Sequence, residues 1–231
     1  MRFSEISTYL KCPQMWKFQY VDKLPPGAKS ADLEFGTSIH EAIEMSFSDL
    51  SALDWFERVW HDAEKLDLIY YKYRHHDYLD MGLRFLDNFE RRHKKKYSAI
   101  WNEAEFKFAK QFSYEGTMDF YGTHDGKTCV VDFKTSEKAY DKSIIKYNPQ
   151  LYVYSQAVFE KTGKLPDKIM YLVFIKSEAP RIQTLELEIN QKMIDDVFIN
   201  LNMIQESSCS PVYKNFHACN YCNYKGECYG K

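Results

Sequence analysis

The sequence predicts an α/β (α+β) fold in which helices flank one central mixed β-sheet, and three observations carry that expectation. Apolar residues recur at helical spacing through most of the N-terminal part, the middle of the chain switches to runs rich in β-branched and aromatic residues, and a helix then precedes two further strands. Neither an internal repeat nor a Pro/Gly-rich linker interrupts the 231 residues, so a single domain over 1–231 is expected. Its parts are a helical N-terminal part (1–98), a sheet core (99–189) and a C-terminal helix with a cysteine cluster (190–231).

Each element has a local signal. Ser4 is placed to cap a short helix that stops at Cys12-Pro13, and the proline can open a second helix through QMWKFQYV. Helical patterns follow in GTSIHEAIEMSF, SALDWFERVWHDAEKL and DYLDMGLRFLDNFERRHKKK. IWNEAEFKFAKQ, YEGTMDFYG and KTCVVDFKTS, separated by turn signals, read as three strands. A helix from Pro149 to about Lys161, with Gly163 just past its end, leads to strands KIMYLVFIK and RIQTLELEI, and a last helix begins after Asn190.

Composition limits the functions open to such a fold. The 31 Lys+Arg and 33 Asp+Glu give a formal charge of -2, so a nucleic-acid partner would have to be held by a local groove. The basic run Arg91 to Lys96 suits a phosphate backbone or a helix C-terminus equally well. YGTHDGKT lacks one residue of phosphate-loop spacing between Gly122 and Gly126, so no ATP-driven motor is expected. With no apolar run long enough to span a bilayer and no signal-peptide pattern in MRFSEISTYLKCP, a cytoplasmic protein is expected. In such a reducing compartment clustered thiols more often bind metal or iron–sulfur than pair with each other, and Cys219, Cys222 and Cys228 lie within ten residues.

The strand VVDFKTS carries the chemistry. Asp125-Gly126 between two strands is a hairpin signal, and counting outward from it sets Asp119 directly opposite Asp132. Like charges so placed destabilise a sheet unless one is protonated or a cation sits between them, and Mg²⁺ is commonly held by one or two carboxylates. Lys134 shares the face of Asp132 and could orient a water or stabilise charge developing on a phosphate. An Asp-x-Lys pair alone is more often a solvent-facing alternation, but Cys129, Val130, Val131 and Phe133 mark a buried strand.

At this point the motifs carry a resemblance. GTMDF (Gly116 to Phe120), VVDFKTS and PQLYVYSQA are similar to the Gly-x-x-Asp, Asp-x-Lys and Gln-x-x-x-Tyr motifs of PD-(D/E)XK nucleases of the RecB-like exonuclease group, and GTSIHEAIE resembles its Gly-x-x-x-His motif. SEISTYLKCPQMWKFQYV resembles that group's N-terminal signature. The resemblance implies a restriction-endonuclease-like core, with His40, Asp119 and Asp132 as ligands of Mg²⁺ or Mn²⁺ and Lys134 as the catalytic lysine. Glu105 matches an acidic position of the family, though Glu103 could serve instead, and Gln150 and Tyr154 share a helix face that could look onto the scissile strand.

The tail CNYCNYKGEC offers three thiols where a metal or cluster site wants four, with Cys209 the upstream partner within the tail. The resemblance, to AddAB-like helicase-nucleases and CRISPR-associated exonucleases of the iron–sulfur type, implies a [4Fe–4S] cluster held by Cys12, Cys219, Cys222 and Cys228. Zinc is the alternative that spacing leaves open, while Cys129 reads as a core residue and Cys209 as a spare thiol. The expected activity is metal-dependent hydrolysis of DNA phosphodiester bonds, as an exonuclease on single strands or duplex ends in repair, recombination or processing. The alternative is a non-catalytic nucleic-acid-binding or scaffolding module with a structural iron–sulfur or zinc site. Intact Asp119, Asp132 and Lys134 favour the enzyme.

Overall fold

The computed structural model describes residues 2–207 and 213–229, so Cys209 lies outside the described residues. The chain opens with α1 (Phe3–Lys11) and α2 (Pro13–Trp16), which continues as a π-helical turn over Lys17–Val21. Ser4 lies inside the first turn and is not the cap. The backbone of Arg2 bridges to Glu115 in the sheet, and the Arg2 carbonyl accepts from the N–H groups of Glu5 and Ile6, so the sheet contact fixes where the helix starts.

Three longer helices follow: α3 (Ala31–Phe47), α4 (Ala52–Ala63) and α5 (His75–Asn88). Ser30 and Ser51 cap the first two, their hydroxyls accepting from the N–H groups of Leu33 and Asp54. The single helix expected through Lys96 ends at Asn88, where a π turn (Phe89–His93) and a 3₁₀ turn (Lys94–Lys96) take over. This change of pitch keeps Phe89 in the core and delivers Tyr97 to the first strand. Where α5 crosses α4, a Cβ on Gly82 would come within 2.1 Å of the Phe56 ring. Gly82→Val is therefore expected to lower stability by about 2–3 kcal/mol through overpacking, read as a lower denaturant midpoint at unchanged slope.

Strands β1 (Tyr97–Ala109), β2 (Ser113–His124) and β3 (Lys127–Ser136) come next, then α6 (Ile144–Tyr147) and α7 (Gln150–Thr162). β4 (Lys168–Ile175), β5 (Arg181–Glu188), α8 (Gln191–Ser207) and the short α9 (Lys225–Tyr229) complete the described chain. The sheet order is β1-β2-β3-β4-β5; β3 and β4 are parallel and every other pair is antiparallel. The fold is thus the mixed-sheet α/β architecture expected.

Alternation along β3 divides the core. Cys129, Val131 and Phe133 pack with Phe120, Leu172 and Phe174 against α3, α4 and α5, while Val130 packs with Tyr171 and Val173 against α7 and α8. A third, smaller cluster joins the two ends of the chain: Cys12 and Met15 meet Ala218 and Tyr224, and the Gln14 N–H donates to the Tyr213 carbonyl. Among the described residues no helix is long and apolar enough to cross a membrane.

Candidate active site

The hairpin creates the site. Asp125 and Gly126, at φ of +50° and +79°, set His124 opposite Lys127, and the antiparallel ladder runs inward as far as Phe120–Val131. Asp119 and Asp132 are the next pair in that register, but here the strands part. β2 stays with β1, whereas β3 stays with β4, pairing Asp132 with Tyr171 and Lys134 with Val173. The Phe133 N–H closes the fork by donating to Asp119 Oδ2 at 2.8 Å.

Helices enter the fork from both faces of the sheet. From one face α3 brings His40, whose Nδ1 lies 3.6 Å from Asp119 Oδ2 and whose ring stands edge-on to Phe133. From the other, α7 brings Gln150 and Tyr154. Lys134 Nζ lies 2.5 Å from Asp132 Oδ2 and donates to Gln150 Oε1 at 3.2 Å, and Gln150 Nε2 donates to the Tyr154 hydroxyl at 2.7 Å. The i, i+4 spacing on α7 thus continues a chain that starts at Asp132.

Burial sets the protonation of these groups. Asp132 is 0% exposed, and its Oδ1 has no hydrogen-bond partner among the described residues. Desolvation, with the Asp119 charge adding to it, pushes the Asp132 carboxyl up to about 6 against the opposing Lys134 and His40. Asp119 is likewise pushed up to about 6 by burial, with Glu103 adding and Lys134 and the Phe133 N–H opposing. Burial also works against the Lys134 charge, but Asp132 and Asp119 together outweigh it and hold that amine above its ordinary value. His40 is lowered by burial, so its imidazole is neutral at pH 7.

The acidic position of β1 differs from the expectation. A register shift between Ala99 and Trp101, followed by a left-handed φ of +42° at Glu103, breaks the alternation of this strand. Glu103 lines a cavity of about 220 Å³ with His40, Glu41, Glu44 and Asp119, whereas Glu105 lines a separate cleft on the far side of Thr117. The fork therefore brings Glu103, and not Glu105, beside His40. Glu44 stands one turn past His40, and the signal for it in the sequence is its i, i+4 spacing from the histidine. Burial, together with its hydrogen bond to Glu103, pushes the Glu44 carboxyl up to about 7.

A family model of the PD-(D/E)XK nuclease superfamily matches residues 3–229. The chain belongs to the PD-(D/E)XK nuclease superfamily. Among solved structures, this nuclease is similar to a protein from Eubacterium rectale described as a "Putative exonuclease", with a TM-score of 0.63 and 14% identity over 97% of this chain and 87% of that one. A likeness to SSO0001 is weaker, with a TM-score of 0.45 and 14% identity over 100% of this chain and 86% of that one. No curated protein sequence matches the chain.

Of the four expected cluster cysteines, Cys12 and Cys222 belong to the satellite where the ends of the nuclease meet. Cys12 Sγ accepts from the Asn215 N–H at 3.4 Å, Cys219 Sγ faces the Asn215 carbonyl at 3.8 Å, and the Cys228 thiol is raised by burial first and also by Cys222, Cys12 and Cys219. Cys129, by contrast, is fully buried in the sheet core, where burial pushes its thiol up to about 12. Among the described residues no three His, Cys, Asp or Glu side chains stand at the separations of a metal-ligand set, at the fork or in the satellite.

Proposed function

We propose that this nuclease is a divalent-metal-dependent deoxyribonuclease, an exonuclease that hydrolyses phosphodiester bonds of single-stranded DNA or duplex ends in repair, recombination or DNA processing. The observation that carries the reading is the Asp132–Lys134–Gln150–Tyr154 chain beside Asp119 and His40 at the parting of β2 and β3. The similarity to the Eubacterium rectale protein, described as a "Putative exonuclease", supports the exonuclease part.

The donor chemistry at the fork fits Mg²⁺ or Mn²⁺. Asp132 presents a buried oxygen without a hydrogen-bond partner, Asp119 a second carboxylate and His40 a neutral imidazole, with Glu103 lining the same cavity. Such an ion, when bound, polarises the phosphate and lowers the pKa of a water. The side chains do the rest. Lys134 stays protonated between two carboxylates, so it serves as a fixed cation for charge developing on the phosphate and not as a base. Gln150 holds the lysine, and Tyr154 holds Gln150, so neither has to reorganise during the reaction.

The test is incubation with end-labelled single-stranded and duplex DNA, with and without Mn²⁺ or Mg²⁺. Metal-dependent release of nucleotides from ends is expected, and DNA binding without cleavage under any metal would sink the reading. Tyr154→Phe is expected to slow cleavage by roughly tenfold only, because its hydroxyl reaches Lys134 through Gln150. A loss as large as that of Asp132→Ala would show that the division of roles is wrong.

For the satellite we propose a [4Fe–4S] cluster on Cys12, Cys219, Cys222 and Cys228, with zinc as the alternative. Its support is the meeting of Cys12 with the tail and the soft thiolate donor set. Protein purified without oxygen is expected to absorb broadly near 400 nm, to lose that absorption on Cys12→Ala and to keep it on Cys129→Ala. Stoichiometric zinc without iron or sulfide would replace the cluster by a zinc site.

A further inference from the structure

Cross-strand pairing sets Lys134, Val173 and Gln183 in one row over β3, β4 and β5, and Asp132, Tyr171 and Leu185 in the next. Residues paired in this way point to one face of the sheet, and β3 and β5 lie about 10 Å apart. Gln183 therefore lies on the face that carries Lys134. The loop that follows β3 crosses this face before α7 begins. Ser136 closes its first turn, the hydroxyl accepting from the Lys138 N–H at 3.2 Å, and Asp141 closes the next, its Oδ1 accepting from the Ser143 N–H at 2.8 Å.

Between these turns both backbone groups of Tyr140 go to a single side chain. Its N–H donates to Gln183 Oε1 at 2.8 Å, and its carbonyl accepts from Gln183 Nε2 at 3.0 Å. The amide stands in for a ladder partner and fixes residue 140 at the row of Lys134. From there the ring lies edge-on to the fully buried Tyr171, 6.1 Å between centroids, in the row of Asp132. Tyr140 itself is only partly buried. Burial raises its hydroxyl, with Lys134 opposing and Asp132 adding, so the group keeps its proton at neutral pH. The clamp uses only the backbone of residue 140, and phenylalanine would pack as well on Tyr171. What tyrosine adds is a donor beside the catalytic pair.

We propose that Tyr140 is a further catalytic residue, whose hydroxyl donates a hydrogen bond to a non-bridging oxygen of the phosphate being cut, and that Gln183 is its positioning residue. The inference rests on the nuclease reading above and adds a donor which that reading does not use. Gln150 and Tyr154 approach Lys134 from the side of Phe106 on β1, and Tyr140 from the side of β4 and β5, so a phosphate at Lys134 lies between them. The tyrosine keeps its proton throughout the reaction.

The test is cleavage of end-labelled dT12 in Mn²⁺, as plain phosphodiester and with phosphorothioate linkages of one configuration throughout, Rp or Sp. Sulfur accepts a hydrogen bond poorly, so the configuration that sets sulfur before Tyr140 is expected to be cut roughly tenfold more slowly by the wild type. Tyr140→Phe keeps the ring and the clamp. It is expected to lower kcat on plain dT12 about a hundredfold and to abolish the penalty on that configuration. KM, affinity for dT12 in Ca²⁺, the unfolding temperature and its rise with Mn²⁺ should stay at wild-type values. Gln183→Met, close in volume, is expected to lower kcat roughly tenfold, and on that background Tyr140→Phe should cost no more than a further tenfold. A full rate in Tyr140→Phe, or a penalty that persists in it, overturns the role of Tyr140 while the nuclease reading stands. A loss from Tyr140→Phe just as large behind Gln183→Met overturns the positioning by Gln183. A wild type that cuts no DNA in any metal refutes the nuclease reading, and the role of Tyr140 with it.

Discussion

Asp132→Ala is expected to abolish metal-dependent DNA cleavage, a loss on the order of 10³-fold or more, while affinity for DNA stays within a few-fold of wild type. Lys134→Ala should cost as much, yet the two variants should part in a second measurement. Mn²⁺ is expected to raise the unfolding temperature of Lys134→Ala, which keeps both carboxylates, and to leave that of Asp132→Ala unchanged. Because Lys134 Nζ lies 2.5 Å from Asp132 Oδ2, the alanine at 132 leaves a buried amine short of its closest partner, so Asp132→Asn serves as the fold control. Undiminished turnover in either variant would remove the pair from the active site. A Mn²⁺ response lost in both would show that the lysine also holds the metal site together.

The second large effect is on stability. Asp119→Asn is expected to unfold at a higher temperature than the wild type when no divalent ion is present at pH 7.5. Asparagine keeps an oxygen for the Phe133 N–H but removes one of the charges crowded at the fork. The sign follows from linkage. The folded protein pushes Asp119 and Asp132 up to about 6 from the 3.8 of a free carboxyl, so the fork binds protons more tightly folded than unfolded. Its contribution to stability therefore falls as pH rises from about 4 to about 6, by at most about 3 kcal/mol per carboxyl. The advantage of Asp119→Asn should vanish near pH 4, grow through that window, level off above pH 6.5 and shrink when Mn²⁺ is added. An advantage that is the same at pH 4 and pH 7.5 would mean that packing, and not charge, sets it.

What the sequence disclosed follows from how local each determinant is. The Asp125-Gly126 turn is written in two adjacent residues, so the register it imposes as far as Phe120–Val131 could be counted outward. The parting of β2 and β3 just beyond depends on β4 holding Asp132 beside Tyr171, a long-range pairing that no local pattern carries. Glu103 and Glu105 part for a related reason. Two-residue alternation puts Glu103 and Glu105 on one face, but the register shift and the left-handed φ at Glu103 send them to different openings. The helix starts ahead of Ser4 because Arg2 is fixed by the sheet, through Glu115, and not by a cap. Gln150 and Tyr154 were legible as an i, i+4 pair; that Gln150 would hold Lys134 was not.

The satellite that joins the chain ends also imposes an order of events during synthesis. Cys12 and Asn215 lie 203 positions apart, and ribosomes add about 5–20 residues per second, so α1 and α2 exist for ~10–40 s before their partners in the tail are made. Once β2 has been made, and until the tail follows, the start of α1 is held at the sheet by Arg2 against Glu115. The wall that α1 gives to the cleft lined by Glu105 and Phe106 is then unbraced by the tail, while the fork of β2 and β3 is already translated. The nascent chain thus acquires the carboxylates of its fork before the terminal satellite that fastens α1 and α2.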